Sequence, residues 1–292
     1  MYGEKGLNTY RISREQESVG YLSSAVQHLF PKAQELVSGF TPDPYSFSEY
    51  PEREKVSDIR WAEQIKQKNI SESSPEVMVQ RQYAAVMEAI LLQHGELSEW
   101  FGEGVFTVKT TDFDDLRNGL DIVLSLPSKN GSLERQHIGI DVTFSQHSLA
   151  KKLGRGYDEV CHGKLATVKY YACEDADEKG LIQVPRITLA ITREHVTELA
   201  GLWMNNKNKE LGNHAVKEIF LREIEAQLLY FMTGAAKYGR AELQGQLRDL
   251  RDTIMRVRIN GRNGTEKKAS FLSEQDHVAD HVGTRRDPGT RV

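Results

Sequence analysis

Residues 137–145 read HIGIDVTFS: Ile138, Ile140, Val142 and Phe144 alternate with Gly139, Asp141, Thr143 and Ser145. A period of two is that of a strand with one apolar face. Similar segments predict strands at VFTVKTT (105–111), LDIVLSLP (120–127), LATVKYYA (165–172) and VPRITLAIT (184–192). The short segment SKNGS separates LDIVLSLP from HIGIDVTFS, so these two are expected to form an antiparallel hairpin.

Elsewhere the spacing is helical. Residues 21–39 carry it with an interruption at Pro31, and 52–68 carry it with Val56, Ile59, Trp61 and Ile65 as the apolar side. Ser73-Ser74-Pro75-Glu76 is a helix start, with a hydroxyl cap, a first-turn proline and an acid at the positive end of the dipole. That helix should run to about His94 and stop at Gly95. A short helix is expected over 147–160. From Arg193 onward HVTELAGLWM and the segment 214–258 are helical, with a break marked by Gly234 and Gly239.

Between these lie loops. Residues 40–51 hold three prolines, with Tyr45, Phe47 and Tyr50 to pin them. DFDDLRNG reads as a turn-rich link, and CEDADEKG as an acidic loop. Residues 1–20 are polar, which predicts a mobile end. After Asn260 the chain is polar and Gly-rich without periodicity, which predicts disorder. There is no internal repeat. The expected class is α/β, a mixed central sheet flanked by helices with helical additions at both ends. The divisions are an N-terminal helical extension over 1–72, a core over 73–195, a C-terminal helical region packed on that core over 196–259, and a tail over 260–292.

Composition narrows the function. A formal net charge of −4 and an isoelectric point near 6.2 argue against a wholly basic nucleic-acid binder. Locally, though, Arg135, Lys151, Lys152, Arg155, Lys164 and Lys169 outnumber Asp141, Asp158 and Glu159. KKLGRGY within that stretch suits either a phosphate backbone or a solvated helix end. The two cysteines, Cys161 and Cys173, are too few for a disulfide framework and lack the spacing of a zinc site. His137, His147 and His162 have no metal-ligand spacing. Tyr170-Tyr171 predicts one core ring and one exposed ring. The N-terminus has no apolar signal region and no run reaches 18 apolar residues, so a cytoplasmic protein with no membrane partner is expected.

The candidate chemistry lies in three acids. Asp121 and Asp141 each stand alone among apolar residues, one on each strand of the expected hairpin. Strands tend to exclude Asp, and two buried acids side by side raise each other's pKa. A divalent cation resolves both costs. Glu88 lies in QRQYAAVMEAILLQH among Ala84, Ala85, Met87, Ala89, Leu91 and Leu92, and helical spacing turns it toward the core. Taken singly, each Asp reads first as an acid paired with a neighbouring Arg or Lys, or as one facing solvent on a one-sided sheet; it is the pair on adjoining strands together with Glu88 that points to a site.

The helix acid, the Asp-rich link DFDDLRNGLD leading into a strand, and a hairpin strand with a second acid resemble the PD-(D/E)xK superfamily, the restriction endonuclease-like phosphodiesterases. The resemblance covers about residues 75–192 and implies a restriction endonuclease-like core. It implies a Mg²⁺ or Mn²⁺ site on Glu88, Asp121 and Asp141, and metal-dependent hydrolysis of DNA or RNA. Leu120 stands where the family has proline. Thr143 stands where the family has a lysine, two residues after the second acid, which positions water and steadies developing charge. Lys151, Lys152, Lys164 and Lys169 are candidates to replace it, Lys152 foremost. The alternatives are a non-catalytic protein of the same fold that binds nucleic acid or a protein partner, and an unrelated α/β protein with structural acids. A homodimer through the helical ends is compatible with each.

Overall fold

A computed structural model describes residues 22–128, 135–144 and 146–262. The polar segment 1–20, most of the SKNGS turn and the tail beyond residue 262 lie outside the described residues. The protein is mixed α/β, a small mixed sheet flanked by helices.

Three helices open the described chain: α1 (Ser24–Phe40), α2 (Glu52–Ser71) and α3 (Pro75–Leu97). Pro31 does not interrupt α1. It lies inside the helix, which loses one ladder bond there and is held by Val26, Leu29 and Ala33 buried on either side. The loop after α1 contains the 3-10 turn Pro44–Ser46 and is pinned by Phe47, whose ring meets Tyr170 edge-on. Ser74 caps α3 as expected, but Gly95 does not end it. A Cβ at Gly95 would stand 2.5 Å from Thr107 Cγ2, so this glycine serves the close approach of helix to strand.

The central sheet is built from β1 (Phe106–Lys109), β2 (Ile122–Leu126), β3 (Gln136–Thr143) and β6 (Arg186–Ala190), in the order β1-β2-β3-β6. The hairpin is antiparallel as expected, with Ile122 opposite Ile140 and Leu124 opposite Ile138. β6 joins β3 in parallel and sets Asp141 opposite Thr188. Between β1 and β2, DFDDLRNG is not a turn but the helix α4 (Asp112–Asn118). Thr111 caps its N-terminus, acids fill its first turn, and Gly119 ends it at φ +66°.

β3 leads into α5 (Gln146–Cys161), then β4 (Ala166–Cys173) and β5 (Glu178–Val184). Part of the expected acidic loop is therefore a strand. β5 pairs antiparallel with β4 in a separate two-stranded sheet, so β4 is not in the central one. Tyr170 and Tyr171 are both buried, against the expectation of one exposed ring. Tyr170 packs among Phe47, Tyr50 and Phe113, while Tyr171 meets His137.

The remaining helices are α6 (Arg193–Met204), α7 (Asn208–Gly212), α8 (Val216–Lys237) and α9 (Ala241–Arg262). The last continues two residues past the expected start of the tail. Gly239, at φ +67°, makes the break between α8 and α9. Gly234 lies within α8, where a Cβ would come 2.7 Å from the Tyr157 ring. One hydrophobic core takes Val26 and Leu29 of α1, Ile90 of α3, Ile140 and Leu189 of the sheet, Phe220 of α8 and Ile254 of α9. Among the described residues no helix is long and apolar enough to cross a membrane.

β6 is an edge strand, and α8 closes that edge with side chains. Thr188 N–H donates to Gln227 Oε1 at 2.9 Å, and Gln227 Nε2 donates back to the Thr188 carbonyl at 2.7 Å. Ala190 N–H donates to Glu223 Oε2 at 2.9 Å. Gln227 thus stands in for a neighbouring strand. Gln227→Leu leaves a buried N–H and a buried carbonyl without these partners. It is expected to lower stability by about 2–4 kcal/mol in urea unfolding; an unchanged midpoint would show that the edge does not depend on this side chain.

Candidate active site

The acids collect at the end of the central sheet. Asp121 directly precedes β2. Its N–H donates to the Ile140 carbonyl at 2.8 Å, and its own carbonyl accepts from Thr110 N–H at 3.3 Å. Its carboxylate continues the ladder, because Oδ2 accepts from Val142 N–H at 2.7 Å. The side chain therefore clips β2 to β3 immediately beside Asp141.

Asp141 owes its direction to the period of β3. Ile138 and Ile140 face the hydrophobic core, so Gly139, Asp141 and Thr143 face the other way. That second face is polar but covered: Asp141, Thr143, Arg186 and Thr188 are all buried. Helix α5 lies over it, anchored by Leu149 and Leu153 against Ala190. From α5, Lys152 Nζ reaches Asp141 Oδ1 at 2.7 Å.

Glu88 stands on α3. Its Oε1 lies 2.8 Å from Lys109 Nζ, although no donor meets that buried oxygen in hydrogen-bond geometry. Lys109, the last residue of β1, is only 4 % exposed. Its ammonium donates to the Asp121 carbonyl at 3.2 Å and lies 3.9 Å from Asp115 Oδ2.

Electrostatics ties these groups together. Burial, then the charge of Asp121, pushes Asp141 up to about 6, against the pull of Lys152 and Arg186. Burial raises Glu88 as well, with Lys109 opposing and Asp121 adding to the rise. Asp115 is raised well above the usual carboxylate range, by burial first and Asp121 next. Burial alone would depress Lys109, but Glu88, Asp115 and Asp121 outweigh it and hold the ammonium above the ordinary lysine value.

The three acids expected from the sequence thus enter one electrostatic cluster, with Lys152 at its edge. They are not gathered into a ligand set. Among the described residues no three carboxylate, imidazole or thiol groups come close enough together to hold a metal ion. Lys109 engages Glu88 and Lys152 engages Asp141, with Asp121 in contact with β3.

Two members of the cluster were not expected. Lys109 carries a signal, a lone lysine within the strand pattern VFTVKTT. Asp115 carries almost none, being one of three acids in α4 with separate destinations. Asp112 pairs with Lys66 at 2.8 Å, and Asp114 accepts from the N–H groups of Lys169 and Tyr170 in β4. Only Asp115 turns to Lys109.

Thr143, at the position where the resemblance implies a lysine, sets its hydroxyl 3.0 Å from that of Ser148. Of the other lysine candidates, Lys151 and Lys164 are exposed, and Lys169 is bound to Glu54 and Asp58 of α2. Part of the local basic excess is also spent inside the fold. Arg155 pairs with Glu159 on its own helix, and Arg135 donates to the Ser125 and Gly104 carbonyls.

No protein-family model matches the chain, and neither a curated protein nor a solved structure matches it.

The raised carboxylate makes stability depend on pH. Folded Asp141 keeps its proton up to about pH 6, whereas an unfolded aspartate loses it near pH 4. Between those values the folded chain holds more protons, so stability falls as pH rises. The full penalty is present above about pH 6. Asp141→Asn, which cannot ionise, is therefore expected to be more stable than the wild type by about 3 kcal/mol above pH 7 and no more stable below about pH 4. Urea unfolding at both pH values checks this; a variant less stable than the wild type at the higher pH would refute it.

Proposed function

We propose that this protein is a metal-dependent nuclease-like hydrolase of nucleic-acid phosphodiester bonds, built on a restriction endonuclease-like core. The observation that carries the reading is the juxtaposition of Asp121, directly before β2, and Asp141 on the adjoining β3, with the Lys152 ammonium 2.7 Å from Asp141. The order of elements supports it: an acid-bearing helix, a hairpin with one acid directly before β2 and another within β3, a covering helix, and a parallel fourth strand.

The donors fit a hard divalent cation such as Mg²⁺ or Mn²⁺. They are carboxylate oxygens, and burial first, with like-charge repulsion from Asp121 second, makes the ionised forms of Asp141 and Asp115 costly, a cost that a cation would relieve. Asp121 and Asp141 would hold the ion. When bound, it would polarise the phosphate and favour ionisation of an attacking water. Asp141, once ionised, orients that water by accepting its hydrogen bond. Lys152 supplies the positive charge that Thr143 cannot, and steadies the negative charge developing on the phosphate. It comes from the helix that covers the site rather than from the strand.

A second reading is a non-catalytic protein of this fold that binds nucleic acid or a protein partner. It is favoured by the engagement of both ammonium groups with carboxylates.

The test is cleavage of single- and double-stranded DNA and RNA with Mg²⁺ or Mn²⁺. The wild type is expected to cut, Asp141→Ala to lose the activity, and Lys152→Met to cut about 100-fold more slowly. Equal cleavage by wild type and Asp141→Ala would sink the mechanism. Binding without cleavage would select the second reading.

A further inference from the structure

The two ammonium groups of the cluster are not equivalent. Lys109 is enclosed: oxygens from three elements surround it, Glu88 Oε1 at 2.8 Å, the Asp121 carbonyl at 3.2 Å and Asp115 Oδ2 at 3.9 Å, and its side chain is 4 % exposed. Displacing it would strand a buried ammonium, which is strongly unfavourable. Lys152 meets one carboxylate oxygen of the cluster, is 32 % exposed and hangs from a helix surface by a flexible stem.

We infer that Lys109 is a resident cation of this site, filling the Glu88–Asp115 half, so that the protein takes a single divalent ion on Asp121 and Asp141 with Glu88 as a counter-ion of Lys109 and not a ligand. The inference rests on the metal-dependent reading above and sharpens it.

Geometry points the same way, because Lys109 lies between Glu88 and the Asp121 backbone, where an ion shared by those two residues would have to sit. An ion on Asp121 and Asp141 instead shares the Asp121 carboxylate with the Val142 N–H, and among the ammonium groups it competes with Lys152, which can swing away and face a phosphate. Lys109 is thus a positioning residue: it fixes Glu88 and the Asp121 main chain and touches neither water nor phosphate.

The experiment is isothermal titration of the full chain with Mn²⁺, with the Mn²⁺ paramagnetic resonance signal as a second readout. The wild type is expected to bind one ion. Glu88→Gln should also bind one, with affinity changed about twofold or less, since the lost charge is already screened by Lys109. Asp121→Asn should lose binding, and folded Lys109→Met should take up a second ion. Two ions in the wild type, loss of binding in Glu88→Gln, or a single ion in folded Lys109→Met would overturn this inference and leave the metal-dependent reading standing. No ion in the wild type, or unchanged binding in Asp121→Asn, would overturn that reading and the inference with it. If Lys109→Met fails to fold, the contrast between Glu88→Gln and Asp121→Asn decides alone.

Discussion

An ammonium group that is almost wholly enclosed must be surrounded by oxygens, and Lys109 shows what that demands of a chain. Its partners come from α3, from α4 and from the residue before β2. The charge on β1 thus fixes the end of the sheet against two helices. Without it, Glu88 and Asp115 would face Asp121 with nothing between like charges. Desolvation and repulsion would then neutralise the acids or push the helices apart. The hydrophobic core sets the sheet under α3, but Ile90 and Ile140 are non-directional. The Lys109 contacts supply the direction.

The next constraint is the second face of β3. Most strands with a buried rear face carry apolar residues there. Here Asp141, Thr143, Arg186 and Thr188 lie beneath α5, so every polar atom needs a partner. Arg186 meets much of that need at once. Its guanidinium binds Glu159 of α5 and the carbonyls of Asn118 and Gly119 at the end of α4. A single side chain of β6 therefore ties the helix that carries Lys152 to the helix that carries Asp115. The sheet edge follows the same economy, since Gln227 and Glu223 give β6 the hydrogen bonds that a fifth strand would have supplied.

Much of this was legible in local pattern. The alternation in HIGIDVTFS set the strand and the facing of Asp141, and the hairpin with LDIVLSLP followed. Glu88 was legible because an acid among Ala and Leu at helical spacing has few bland explanations. Features decided by distant partners were hidden. Gly95 and Gly234 looked like helix ends because glycine usually marks them, yet each is small for the sake of Thr107 or Tyr157. DFDDLRNG looked like a turn because its acids are also the residues that favour a helix N-terminus. β5 was hidden because its alternation runs between half-buried and exposed residues, with an apolar side chain, Leu181, at an exposed position. Asp115 could not be told from Asp112 and Asp114 without knowing which way α4 faces.

The threonine at 143 becomes intelligible from the same geometry. It follows Asp141 on the covered face of β3, and its hydroxyl meets Ser148 in the first turns of α5. A lysine there would have to place an ammonium under that helix, in a face that is already buried. Lys152 instead approaches Asp141 from α5, at the rim, with a third of its side chain in solvent. The cluster therefore separates its two ammonium groups by burial: the enclosed Lys109 keeps Glu88, Asp115 and the Asp121 main chain together, whereas Lys152 holds Asp141 from a partly solvated position where water and salt weaken the pair.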